Sequence, residues 1–339
     1  RAFYARLCAR VLALAGGREG EHAALPLPGC GHFVTEAAIR TFLPPGGKLL
    51  IPMSGAYADR MVRLAREAGR IVVALPIDPN RPADPSAIAA ALAADPTISH
   101  VGAVYSETGT GVCHDVPAIG AAVRDLGRRM IVDAVSAFGA LPFDISAQPE
   151  VDAVVFTANK CLESVPGIAF AVGRTDRLAA SGGNAGSWSL DLADLYAHDV
   201  RSPGSARFTP PAQVLNALDR AIDFHAAEGQ PARLARYTAN MRTLYDGVRQ
   251  LGLAPCLAAD AQGPIIVNVH APADSAWDLL AFVEALKRRG FLISNFYNTP
   301  RPSFRLGCIG AVTPADMARA VAAMGEALDE LGINRREAA

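Results

Sequence analysis

Lysine is nearly missing from this chain: Lys48, Lys160 and Lys287 are the only three among 339 residues. A surface lysine needs no special setting, so the one that stands just past an apolar run, in "TANKCLESVPG", reads as a lysine used for covalent chemistry. An excess of one charge is missing too. The formal net charge is −1, which removes any electrostatic argument for nucleic acid or an anionic membrane as partner. No apolar run approaches the roughly 20 residues that span a bilayer. The alanine-rich stretch 88–94 is broken by Asp95-Pro96 and reads as a soluble helix, and no secretory leader is visible. Six cysteines are scattered without a C-x-x-C pair, and seven histidines without metal-ligand spacing. Those absences argue against a zinc site, a metal of any kind or a disulfide framework, and for a reducing cytoplasm. Repeats and low-complexity tracts are absent. The chain opens at Arg1 directly in a helical pattern, so a segment ahead of it is expected.

Apolar residues make up 51% and charged residues 19%, enough to build a large interior. From about residue 23 to residue 173, short apolar runs ("AALPLP", "KLLIP", "RIVVALP", "HVGAVYS", "RMIVDA", "VDAVVFT", "IAFAVG") alternate with helical stretches at 33–42, 57–67, 85–94 and 116–126. This alternation predicts an α/β fold with a mainly parallel seven-stranded sheet covered by helices on both faces. After residue 210 come a long helical region at 211–251, strands at 263–269, 291–296 and 303–310, and helices at 277–290 and 313–331. The expected division is a large domain, 1–227, and a smaller C-terminal α+β domain, 228–339.

Ligands of such sheets sit beyond the carboxyl ends of the strands. There the sequence places Gly29-Cys30-Gly31-His32 opening a helix, Glu107-Thr108-Gly109, Asp133-Ala134-Val135-Ser136 and Thr157-Ala158-Asn159-Lys160. Pyridoxal 5′-phosphate needs that set: an amine for a Schiff base, a carboxylate to keep its ring nitrogen protonated, and a cradle for its phosphate. Lys160 is the expected amine and later the general base, Asp133 the carboxylate, and the glycine turn at a positive helix end the cradle. Each has a bland reading when taken singly: a helix start, a loop cap, a solvated lysine. The three in this order, with Lys160 placed 27 positions after Asp133, carry the weight.

"VDAVSAFGALPFDI", "TANKCLESVPGIAFAVGR", "SLDL", "RFTPPAQV" and "SFRLGCIG" resemble the 2-aminoethylphosphonate:pyruvate aminotransferases, a branch of the class-V aminotransferases of fold type I. The likeness runs from about Gly16 to Ile333. It implies a homodimer with each active site at the subunit interface, and small-molecule substrates: an aminophosphonate or amino acid and a 2-keto acid. By the same resemblance Tyr57 stacks on one face of the cofactor ring and Val135 packs on the other. Thr108 lies near the ring oxygen, Cys30, Gly31, His32 and Asn159 belong to the cofactor site, and Thr209 reaches the phosphate of the neighbouring subunit. Arg305 clamps the substrate's acidic group. The chain departs from the family at Cys30 and His32, where Ser and Thr are usual, and at Ser54, Ala58 and Ser164. It also departs at the segment 295–300, "NFYNTP", and it has no counterpart of the family's N-terminal Pro-Gly-Pro loop. The resemblance implies transfer of the amino group of 2-aminoethylphosphonate to pyruvate. The alternatives are alanine–glyoxylate or serine–pyruvate transamination, a lyase acting on an aminophosphonate, or a cofactor-binding paralogue without turnover.

Overall fold

The computed structural model describes residues 1–295, 299 and 301–335. At its centre is a seven-stranded sheet of β1 (His22–Gly29), β2 (Lys48–Met53), β3 (Ile71–Pro76), β4 (Ile98–Val104), β5 (Arg129–Asp133), β6 (Val151–Thr157) and β7 (Gly167–Arg174). Their spatial order is β1-β7-β6-β5-β4-β2-β3. The strands from β2 to β6 pair in parallel, while β7 runs against both β6 and β1. All seven expected strands form, and the sheet is mainly parallel as the alternation predicts. Burial on both faces explains the unbroken apolar runs: every residue of β6 is buried. Successive side chains feed opposite faces, so Val132 and Val154 join one core while Ile131, Ala153 and Val155 join the other.

The helices are α1 (Ala2–Leu14), α2 (Gly31–Phe42), α3 (Ala56–Glu67), α4 (Pro85–Ala94), α5 (Val116–Asp125), α6 (Thr175–Ala180), α7 (Leu192–Arg201), α8 (Ala212–Glu228), α9 (Gln230–Gln250), α10 (Leu279–Arg288) and α11 (Pro314–Glu330). Their starts differ in a way that matters for the site. Asp84 and Asp115 cap α4 and α5 by accepting from Ser86 N and Ala118 N, each behind a proline in the first turn. Thr313 and Asp316 form a reciprocal capping box on α11. α2 has no side-chain cap, and its first turn faces the carboxyl edge of the sheet. The opposite, amino edge is closed by charge. Asp152, fully buried near the start of β6, accepts from His100 Nε2 (3.0 Å), Arg129 Nε (2.7 Å) and Arg177 Nε (3.2 Å).

The expected helical region 211–251 is two helices, parted at Gly229, whose φ of 82° no continuing helix could adopt. Beyond it, β8 (Ile266–His270) and β9 (Ser303–Gly307) pair antiparallel, and α9, α10 and α11 pack on one face of that pair. The strand expected at 291–296 is not found over its described residues, 291–295. Phe291 and Ile293 turn toward the core and Leu292 is 79% exposed, so strand-like alternation is present, yet the segment pairs with neither β8 nor β9. Much of the departure at "NFYNTP" falls on residues 296–298 and 300, outside the described residues.

Candidate active site

Three strand ends and two helix starts converge on one cleft of about 160 Å³. From the turn after β1 come Cys30, Gly31 and His32, and from α3 Tyr57. From the end of β5 come Asp133 and Val135, and from the end of β6 Asn159 and Lys160. Eight sequence-predicted residues are thus brought together. Parallel strands do this because their carboxyl ends, where the chain leaves the sheet, all lie on one edge.

The cradle is tight. A Cβ on Gly31 would stand 2.8 Å from Val135 Cγ2, so only glycine lets α2 begin this close to the end of β5. Gly31→Ala is expected to push α2 away from the sheet and destabilise the fold by about 1–3 kcal/mol, read as a lowered denaturation midpoint. Cys30 Sγ and His32 Nδ1 lie 3.3 Å apart at this turn. Thr157 Oγ1, lining the cleft beside them, is buried with no hydrogen-bond partner. An uncapped helix start and an orphaned hydroxyl suit an anion such as a phosphate.

Asp133 is 9% exposed and accepts from Val135 N at 3.0 Å. Thr35 Oγ1 lies 3.3 Å from its Oδ2 and 3.0 Å from Gly31 O, and can donate to one at a time. Burial pushes its carboxyl up to about 6, against the opposing pull of Val135 N–H, the Thr35 hydroxyl and the charge of Arg60. The carboxyl therefore caps its own loop and still faces the cleft, a setting that suits a protonated ring nitrogen. Lys160 is half-buried, and burial lowers its pKa, with Arg305 lowering it further against Cys161. Its amine is thereby shifted toward the neutral, nucleophilic form.

Arg305 does not line the cleft; it lies within electrostatic reach of Lys160, Tyr57 and Glu107. It stands on β9 opposite Asn268, its Nε donates to Ser294 Oγ at 3.2 Å, and Asn268 Nδ2 donates to Gly109 O at 3.1 Å. The small sheet thus leans on the loop after β4. Thr108 is buried outside the cleft lining, its hydroxyl 2.7 Å from that of Ser136. Thr209 is exposed on the segment before α8, also outside the cleft.

Sequence reasoning missed Thr35 and Arg60, and it placed Glu107 at a strand end without giving it a role. The first two lie one helical turn past Gly31 and Tyr57, a spacing that could have found them; the Arg60 guanidinium sits 4.8 Å above the Tyr57 ring. Glu107 is fully buried and caps α3 from another strand, accepting from Tyr57 N, Ala58 N and Gly109 N. Desolvation pushes its carboxyl up to about 7 against those three donors.

Residues 29–287 match the aminotransferase class-V family. The chain belongs to the class-V aminotransferases. This transaminase is 45% identical over 330 residues to the 2-aminoethylphosphonate–pyruvate transaminase of Burkholderia ambifaria, covering 97% of this chain and 88% of that one. It is 42% identical to the protein of the same name from Pseudomonas aeruginosa, again over 97% and 88%. Of solved structures, pyridoxamine–pyruvate aminotransferase from Mesorhizobium loti superposes with a TM-score of 0.89 at 26% identity, over 98% of this chain and 85% of that one. Ureidoglycine–glyoxylate aminotransferase from Bacillus subtilis has the same fold, with a TM-score of 0.87 at 22% identity over 98% and 86%. The transaminase is therefore an enzyme acting on small molecules, and its fold is that of the pyridoxal-phosphate aminotransferases. Among the described residues no helix is long and apolar enough to cross a membrane.

Proposed function

We propose that this transaminase uses pyridoxal 5′-phosphate to move the amino group of 2-aminoethylphosphonate to pyruvate, giving phosphonoacetaldehyde and alanine. The observation that carries the reading is the meeting of Lys160, Asp133 and the uncapped start of α2 in one cleft, with Arg305 close enough to bias the Lys160 amine. The 45% identity to a 2-aminoethylphosphonate–pyruvate transaminase supports the choice of substrates.

When bound, the coenzyme supplies an aldehyde that takes up the amine and a ring that withdraws electrons from the adjacent carbon. Asp133 holds the ring nitrogen protonated and so maintains that withdrawal. Cys30, Gly31 and His32 offer the first turn of α2 to the phosphate, with the Thr157 hydroxyl beside it. Tyr57 and Val135 would bound the ring on its two faces, and Asn159 and Thr108 would belong to its surroundings. Lys160 would hold the coenzyme's aldehyde through its amine and, when free, would carry the proton at the carbon bearing the substrate's amino group. Arg305 binds a phosphonate in one half-reaction and a carboxylate in the other, which a forked guanidinium can do. The proposed division, 1–227 and 228–339, is supported by a main core on each side, bridged by a small cluster of Ala140, Cys161, Tyr237 and Ile265, and by the break at Gly229. We further propose a homodimer in which Thr209 serves the neighbouring site. A cytoplasmic setting is supported by six cysteines without disulfides.

Arg305→Ala is expected to raise the KM of both substrates about tenfold to a hundredfold while sparing the visible absorbance of the bound coenzyme. Unchanged Michaelis constants would remove Arg305 from substrate binding. The donor is tested by comparing 2-aminoethylphosphonate with alanine and serine, each with and without pyruvate. Faster turnover of alanine or serine, or turnover without a keto acid, would overturn the proposed reaction.

A further inference from the structure

The loop that follows Lys160 is tied to the segment that follows Arg305 by a network outside the cleft. Glu163 is the only non-glycine residue among those described with a left-handed backbone, φ 59°. Glutamate takes that conformation only where its surroundings demand it. Its N–H donates to Lys160 O at 2.9 Å, so the turn closes directly on the lysine. Its carboxylate receives Tyr237 O–H at 2.5 Å and Arg236 Nη2 at 2.9 Å. Arg233, 1% exposed, donates through Nη1 to Cys161 O at 2.7 Å. Glu228 balances the two arginines by accepting from Arg233 Nε and Arg236 Nε.

The same side chains reach onward. Tyr237 Oη accepts from Gly310 N at 3.2 Å, and Arg236 Nη1 donates to Gly310 O at 2.5 Å and Val312 O at 3.2 Å. Gly310 lies five residues past Arg305, just beyond the end of β9. One phenolic hydroxyl thus joins Glu163, three residues past Lys160, to the run of chain that leaves Arg305.

We propose that Glu163, Tyr237 and Arg236 are positioning residues that set the spacing between Lys160 and Arg305. The inference rests on the roles assigned above to those two groups. Arg305 holds the acidic end of the substrate, and Lys160 must reach the proton at the other. Reacting atoms need to stand about 3–3.5 Å apart, and a misplacement of about 1 Å costs up to roughly 10²-fold in rate. The network fixes that spacing from behind, through residues that do not line the cleft.

The test uses the holoenzyme and its Tyr237→Phe and Glu163→Gln variants, with Arg236→Lys in reserve if either fails to fold. The expected result is a fall of at least fivefold in kcat per bound coenzyme. The inhibition constant of a substrate-shaped acid lacking the amine stays within twofold of wild type. The isotope effect from deuterium on the amine-bearing carbon is at least as large as in wild type, since proton transfer is the step impaired. A smaller fall in kcat, a parallel loss of inhibitor affinity, or a reduced isotope effect would overturn the proposal and leave the network a stabilising role. Failure of the underlying reading shows separately: borohydride treatment of the wild-type holoenzyme would then fix no coenzyme to Lys160.

Discussion

Lys160→Ala loses transamination by about four orders of magnitude, the loss expected when one group serves both as nucleophile and as proton carrier. No other lysine can stand in. Lys48 lies at the start of β2, bound to Asp95 at 2.7 Å on the amino edge of the sheet, and Lys287 sits on α10 beside Glu284. The fold should survive the change, because burial already works against a charged amine at this position. Turnover, the visible spectrum and a denaturation curve on one preparation check all three statements. A variant that keeps a tenth of wild-type activity would exclude Lys160 from the chemistry.

Asp133→Asn is expected to lower turnover roughly 10²–10³-fold, the range seen when one aimed electrostatic group is removed from an active site. Asparagine keeps an acceptor for Val135 N, so the loop after β5 holds while the negative charge is lost. Without coenzyme the same variant should be the more stable protein at neutral pH. The folded-state pKa of Asp133, about 6, lies above its ordinary value, so the folded chain binds this proton more tightly than the unfolded chain. The stability it contributes is full below about pH 4 and is lost as pH rises through about 6, an effect on the order of 3 kcal/mol. Denaturant midpoints of the coenzyme-free proteins at pH 4.5 and pH 7.5 measure this. The gap between variant and wild type should open toward the higher pH, and a gap independent of pH would contradict the assignment.

Most of the architecture was legible because its cause is periodic. Runs such as "VDAVVFT" are apolar at every position because both faces of β6 are buried, and Asp84 and Asp115 announce the starts of α4 and α5. Lys160 and Asp133 were legible because the carboxyl ends of parallel strands meet. The capping role of Glu107 was not, since the backbone it caps lies about fifty residues away and nothing local marks the pairing. The need for glycine at position 31 is equally hidden: it comes from Val135, a neighbour only in space. The strand read into 291–296 is not found over its described residues, 291–295, because alternation reports which side chains turn inward and says nothing about whether another strand stands alongside.

The sheet assigns its two rims to different duties. Asp152 with His100 and Arg129 binds β4, β5 and β6 together where those strands begin, and Arg177 ties α6 to them, a full strand length from the residues proposed to do the chemistry. Substitutions around Asp152 can therefore adjust the temperature at which the molecule melts without altering how fast it turns over. Heat tolerance and catalytic speed can drift independently as the lineage diverges, because they are written at opposite ends of the same strands.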